Sequence, residues 1–171
     1  MISPGYCRKM ANYNAWQNRQ VKAACEKLTE AALRADRGAY FGSIMKTLNH
    51  LLWGDLIWMR RFDNGEGPAS GIAESVDICP TLGLWGVERF RVDGRIQRWA
   101  GSISEADLLG ELSWFSEAAN RDVTVSKQIG VIQMFNHQTH HRGQIHAMLT
   151  NAGENPGDTD LFLMPEDIKW H

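Results

Sequence analysis

Apolar residues recur at helical spacing in four long stretches, and polar or turn-forming residues separate them. Between residues 6 and about 34, Met10, Tyr13, Trp16, Val21, Ala24, Leu28 and Ala31 follow a helical period, and Ser3-Pro4 supplies the start. This predicts helix one. Between about 41 and 62, Ile44, Leu48, Leu51, Leu52, Ile57, Trp58 and Phe62 line one stripe that ends at Asp63-Asn64-Gly65. Residues 64–80 are rich in Gly, Pro and Ser and too long for a tight turn, so a wandering surface connection is expected. Helix three is expected over about 82–100, with Val87, Phe90, Ile96 and Trp99 as its apolar side. Residues 104–125 read two ways. Ser104-Glu105-Ala106-Asp107 resembles a helix start, whereas LGELSWF and RDVTVS alternate with period two and allow a small β-hairpin. Helix four, about 127–151, carries Ile129, Ile132, Met134, Phe135, Ile145, Met148 and Leu149. It stops at Asn151-Ala152-Gly153, with Pro156 beyond. Four long helices with little strand signal predict an all-α four-helix bundle, a single domain over 1–171, with the hairpin option between helices three and four.

Composition narrows the function classes. With 18 basic against 20 acidic residues the net charge is −2, which gives no electrostatic case for nucleic acid or an anionic membrane. No apolar segment has the length of a signal peptide or a membrane span. The three cysteines, Cys7, Cys25 and Cys79, form no C-x-x-C pair. Cys7 and Cys25 on one helix would lie about 27 Å apart, far beyond disulfide reach. A reduced, cytoplasmic setting is expected.

Six histidines are the unusual entry, because His137, His140, His141 and His146 fall within ten residues. At about 100° per residue, His137 and His141 lie only about 40° apart on one helix face, the same face as Met134 and Met148. That face points inward. His146 lies about 180° from His137 and is expected to be exposed; His140 sits roughly 60° to one side and stays undecided. A third ligand must come from another helix, and the internal candidate is His50, where Gly54 one turn on leaves room beside a ligand. Asp55 lies about 140° from His50, and helix four carries no Asp or Glu between Lys127 and Gly153. A three-histidine site is therefore preferred to a two-histidine, one-carboxylate site, and imidazole ligation suits Zn²⁺ or Ni²⁺ better than Mg²⁺ or Ca²⁺. Gln144 reads either as a hydrogen-bond partner to a ligand or as an interior amide. Arg142 reads as a salt-bridge partner. Trp16, Trp53, Trp58 and Trp99 read as core packing or a dimer face.

The stretches FNHQTHHRGQIHAMLTNAG (135–153), NHLLWGD (49–55), MANYNAWQNRQ (10–20) and GDTDLFLMP (157–165) closely resemble the DinB, or DinB/YfiT-like, family of metalloenzymes. The resemblance spans almost the whole chain. It implies an up-down-down-up bundle, a homodimer, and a divalent metal held by residues matching His50, His137 and His141. Family members include bacillithiol and mycothiol transferases and a thiol-dependent maleylpyruvate isomerase. The implied function is thus a metal-dependent thiol S-transferase or hydrolase-like enzyme acting on a small electrophile. The alternative is a non-catalytic, metal-binding stress-response protein that works as a structural or interaction dimer. No residue for general-base or other catalytic work is identifiable from the sequence.

Overall fold

The computed structural model describes residues 1–166; Asp167 to His171, the last histidine and the Trp170 included, lie outside the described residues. Five α-helices and one small antiparallel sheet make up the regular structure there: α1 Pro4–Cys25, α2 Glu30–Arg34, α3 Ile44–Asp63, α4 Leu82–Ser102, β1 Glu111–Ser116, β2 Arg121–Ser126 and α5 Lys127–Asn151. Each of these five α-helices begins in the same way. Ser3, Thr29, Ser43, Thr81 and Ser126 each hold an extended backbone and accept a hydrogen bond from the amide three residues on. Such caps contribute about 1 kcal/mol each and set where each helix enters the core. At the far end of α3, Asn64 takes the left-handed conformation (φ 56°) that terminates a helix.

The chain corrects the expectation of one continuous first helix to residue 34. After Cys25 the backbone turns, with Lys27 and Leu28 amides bonding back to Ala24 and Cys25, and Thr29 caps a separate five-residue helix. The apolar period runs straight through this break, so spacing alone does not reveal it. Leu33, not Ala31, becomes the buried anchor of α2. The second long helix starts at Ile44 rather than Phe41, because Ser43 caps it and Gly42 (φ 79°) turns the chain just before.

The hairpin alternative holds for residues 111–126, with Trp114 opposite Val123 and Leu112 opposite Val125 on one face. The helix-start reading of Ser104-Glu105-Ala106-Asp107 survives as one 3₁₀ turn, Ala106–Leu108, with Ser104 donating to the Asp107 carboxylate. On α4 the apolar side is Trp85, Val92, Ile96 and Ala100; Val87 and Phe90, expected on it, are exposed.

The four long helices pack in the order α1, α4, α3, α5 and back to α1, while the hairpin rests against α5. Their shared interior is filled by Leu48, Leu52, Met59, Trp85, Ile96, Met134, Phe135, Ile145 and Leu149. A polar chain crosses the same interior. Arg89 of α4 donates to Asp55 of α3 at 2.5 Å and lies 3.0 Å from Asp93, which also accepts from Asn18 of α1 at 2.9 Å. Gln138 of α5 donates to the other Asp55 oxygen. One network therefore pins all four helices. Among the described residues no helix is long and apolar enough to cross a membrane.

Candidate metal centre

His50 of α3 and His137 and His141 of α5 converge in the interior between these helices. Their candidate ligand nitrogens all lie within 4.8 Å of one another. His50 Nε2 and His137 Nε2 are 3.3 Å apart. Two nitrogens bound at about 2.1 Å to one tetrahedral ion stand roughly 3.4 Å apart, so this separation fits a shared cation. His50 and His141 are buried, and His137 is half-buried beside a cavity.

Neighbouring groups fix the outer ring nitrogens. His50 Nδ1 lies 3.0 Å from Ser75 Oγ, and His141 Nδ1 lies 2.8 Å from Gln144 Oε1. An amide oxygen only accepts, so His141 carries its proton on Nδ1 and turns the lone pair of Nε2 toward the cluster. Gln144 thus hydrogen-bonds a histidine of the cluster. His137 Nδ1 is buried and, among the described residues, has no hydrogen-bond partner. The described residues leave this ring nitrogen unsatisfied, at a cost of about 1–3 kcal/mol.

The electrostatics favour neutral rings. Burial, reinforced by the neighbouring His141, pushes His50 down to about 4. His137 is pushed down to about 3 by burial and then by His141, His50 and His140; His141 is also lowered, chiefly by burial. At neutral pH all three imidazoles are uncharged bases with lone pairs to donate. Such a donor set accepts a borderline divalent ion and has no oxygen to favour Mg²⁺ or Ca²⁺.

Local sequence builds this geometry. A Cβ placed on Gly54 would stand 2.8 Å from His137 Cε1 and 3.2 Å from its Nδ1, so the His137 ring occupies the space that the missing side chain leaves. The room expected next to His50 is filled by the second histidine. Phe41, in the loop before α3, lays its ring over His50 at 4.1 Å and reaches His141 at 5.5 Å. Loop 64–80 does not wander: Asn49 exchanges hydrogen bonds with Cys79 and donates to Val76 O, and Trp53 Nε1 donates to Ser70 O at 2.9 Å. Those anchors carry Ser75 to His50.

Other candidates fall elsewhere. His140 is exposed, its ring edge-on to His141 at 4.8 Å. His146 lies apart from the trio, as expected, but is half-buried rather than exposed, beside Tyr13 and Arg142. Among the described residues Arg142 forms no salt bridge; it is buried, donates to Asn14 Oδ1 and lies 5.5 Å from the Tyr13 ring. Asp55 faces Arg89, away from the histidines, in agreement with its helical phase. Trp58 is buried, whereas Trp16, Trp53 and Trp99 are half-buried. The chain's own thiols supply no nucleophile here: all three are buried, and burial pushes Cys7 up to about 11 and Cys25 up to about 12.

Protein DinB of Bacillus subtilis (strain 168) is 24% identical over 157 residues, covering 91% of each chain. A sequence model of the DinB family matches residues 1–169, a span that includes all three clustered histidines, and the chain belongs to the DinB family.

Proposed function

We propose that His50, His137 and His141 hold one divalent metal ion, Zn²⁺ or Ni²⁺, and that the protein is a metal-dependent enzyme joining a low-molecular-weight thiol to a small electrophile. The observation that carries this reading is the convergence of three neutral imidazoles beside a cavity of about 660 Å³ that reaches His137. When bound, the ion supplies Lewis acidity that makes a thiol or water nucleophilic at neutral pH. The protein's own contribution is positional. Ser75 and Gln144 orient two rings, Phe41 shields them from solvent, and Gly54 admits the third.

Residue pairings between the helices support an up-down-down-up bundle within a single domain. Leu48 with Trp85, Asp55 with Arg89 and Asp63 with Arg95 advance together along α3 and α4. Tyr6 with Phe135 and Asn14 with Arg142 likewise advance together along α1 and α5. Asn12 with Gln97 and Asn18 with Asp93 run in opposite senses along α1 and α4. Leu84, Val87 and Phe90 form an exposed apolar stripe on α4, which supports a homodimer through that face.

Elemental analysis of untagged protein and of a His137→Ala variant tests the metal. About one ion per chain is expected in the first and a strong loss in the second; equal content in both sinks the assignment. Metal-dependent consumption of a panel of thiols with a generic electrophile tests the chemistry. No turnover above the metal-free protein leaves the ion a structural role.

A further inference from the structure

The cavity beside His137 has a second polar end. It runs between α3, loop residues 68–72 and the hairpin, and its walls are largely apolar. Trp58 and Trp114 meet edge to face at 5.6 Å, with Ile57 and Val123 beside them. Arg61 lies against both indoles, its guanidinium carbon 4.6 Å from the Trp58 ring centre and 4.3 Å from that of Trp114. This cation is half-buried, and among the described residues no carboxylate pairs with it. The nearby Asp63 is committed to Arg95 at 2.7 Å.

Two other charged groups among the described residues line the cavity, both exposed: Arg60, and Glu117, whose carboxylate accepts from the Ile72 amide at 3.3 Å. Two arginines against one glutamate leave an excess of positive charge. Burial pushes Arg61 down to about 10, and among the described residues no anion draws it back, yet it remains protonated at neutral pH. Partial burial of an unpaired guanidinium is unfavourable. Ring contacts recover about 0.5–2 kcal/mol and hold the planar fork in place. A fork held this way matches a carboxylate with two parallel hydrogen bonds.

Spacing sets the ligand's length. Gly54 lies against the His137 ring, and Arg61 follows seven residues later on the same helix, a rise of about 10 Å. We propose that the cavity selects an elongated small-molecule carboxylate. Its apolar or aromatic body lies along Trp58 and Trp114, its carboxylate meets Arg61, and its other end reaches His137. What happens at the His137 end rests on the metal-dependent reading; the charge selection at Arg61 does not.

A matched pair of probes tests the selection on the full-length, zinc-supplemented protein: 4-phenylbutanoate and its uncharged analogue 4-phenylbutanamide, with affinities from calorimetry or NMR titration. The wild type is expected to bind the acid about tenfold more tightly than the amide. Arg61→Gln is expected to abolish that preference, weakening the acid more than the amide. A wild type without preference, or a preference that survives Arg61→Gln, overturns the proposal. Should the variant lose both probes, ionic strength decides: a wild-type preference that falls with salt supports pairing at Arg61, and one indifferent to salt overturns it. Zinc content measured on the same samples separates the two readings. Protein that retains no zinc yet prefers the acid removes the metal reading and leaves this one standing; protein that retains zinc without preference does the reverse.

Discussion

Gly54→Ala separates the stability of the helix from the integrity of the histidine cluster, because the two respond in opposite directions. The new methyl carbon would stand 2.8 Å from His137 Cε1, against an ordinary contact of at least 3.4 Å, so the ring must retreat by about 0.6 Å. Metal–ligand distances tolerate only about 0.2 Å. The displaced ring thus leaves its place in the shared site, a loss at least as severe as removing a ligand's supporting hydrogen bond, about 10- to 100-fold in affinity. That corresponds to roughly 1.4–2.8 kcal/mol. Within the helix, meanwhile, Ala is favoured over Gly by about 1 kcal/mol, which offsets part of the local repacking in the metal-free protein. Competition against a chelating dye gives the metal affinity, and urea unfolding of the metal-free form gives the stability. The expected result is a protein of near wild-type fold that binds zinc at least tenfold more weakly. Unchanged affinity refutes the argument that Gly54 exists to admit His137. Equal loss of fold and metal also refutes it, since the glycine would then serve packing alone.

Asp55→Ala is expected to destabilise the fold by about 3–5 kcal/mol in urea unfolding, because Arg89, 3% exposed, is left facing only Asp93. A loss below about 1 kcal/mol would show that water enters the network and that its buried pairing matters little. The metal-free protein is also expected to lose stability on acidification below pH 6.5. His50 and His137, lowered to about 4 and about 3, stay unprotonated in the folded state while the unfolded chain takes up protons from 6.5 downward. The histidine contribution is therefore complete above pH 6.5 and is lost as pH falls toward 4 and then 3, at up to about 1.4 kcal/mol per pH unit for each group. Asp55 and Asp93, raised by burial, act with the opposite sign in the acid range, so the His50→Ala, His137→Ala double variant supplies the comparison. A slope in the double variant as steep as in wild type removes the histidines as its source.

How far the centre was legible from the sequence follows from how each contact is made. His137 and His141 share one continuous helix, where phase alone places them, and the phase that excluded Asp55 also aimed it at Arg89. Loop-borne partners carry no such signal: Ser75 reaches His50 because Asn49 and Trp53 fasten a segment that composition marks as loose. The apolar period extends the helix pattern to Phe41, although Gly42 and Ser43 are the residues that end the loop and expel it from α3. The break after Cys25 hides for a related reason, since a turn that keeps Leu28 against the core preserves the apolar period across the interruption. The Arg89 network is the instructive omission. Its members sit at inward helical positions where periodicity expects apolar residues, so they blur the amphipathic stripe of α4 and leave exposed Val87 and Phe90 to be mistaken for its buried side. Buried charge misleads the hydrophobic pattern at the very place where it fixes the relation of four helices. Gln138, which joins that network, is the residue next to His137 on α5, and Asp55 is the residue next to Gly54 on α3. The network that fixes the spacing of α3 and α5 is thus covalently adjacent to the pair whose separation defines the histidine cluster, and charge buried in the core sets the geometry of that cluster.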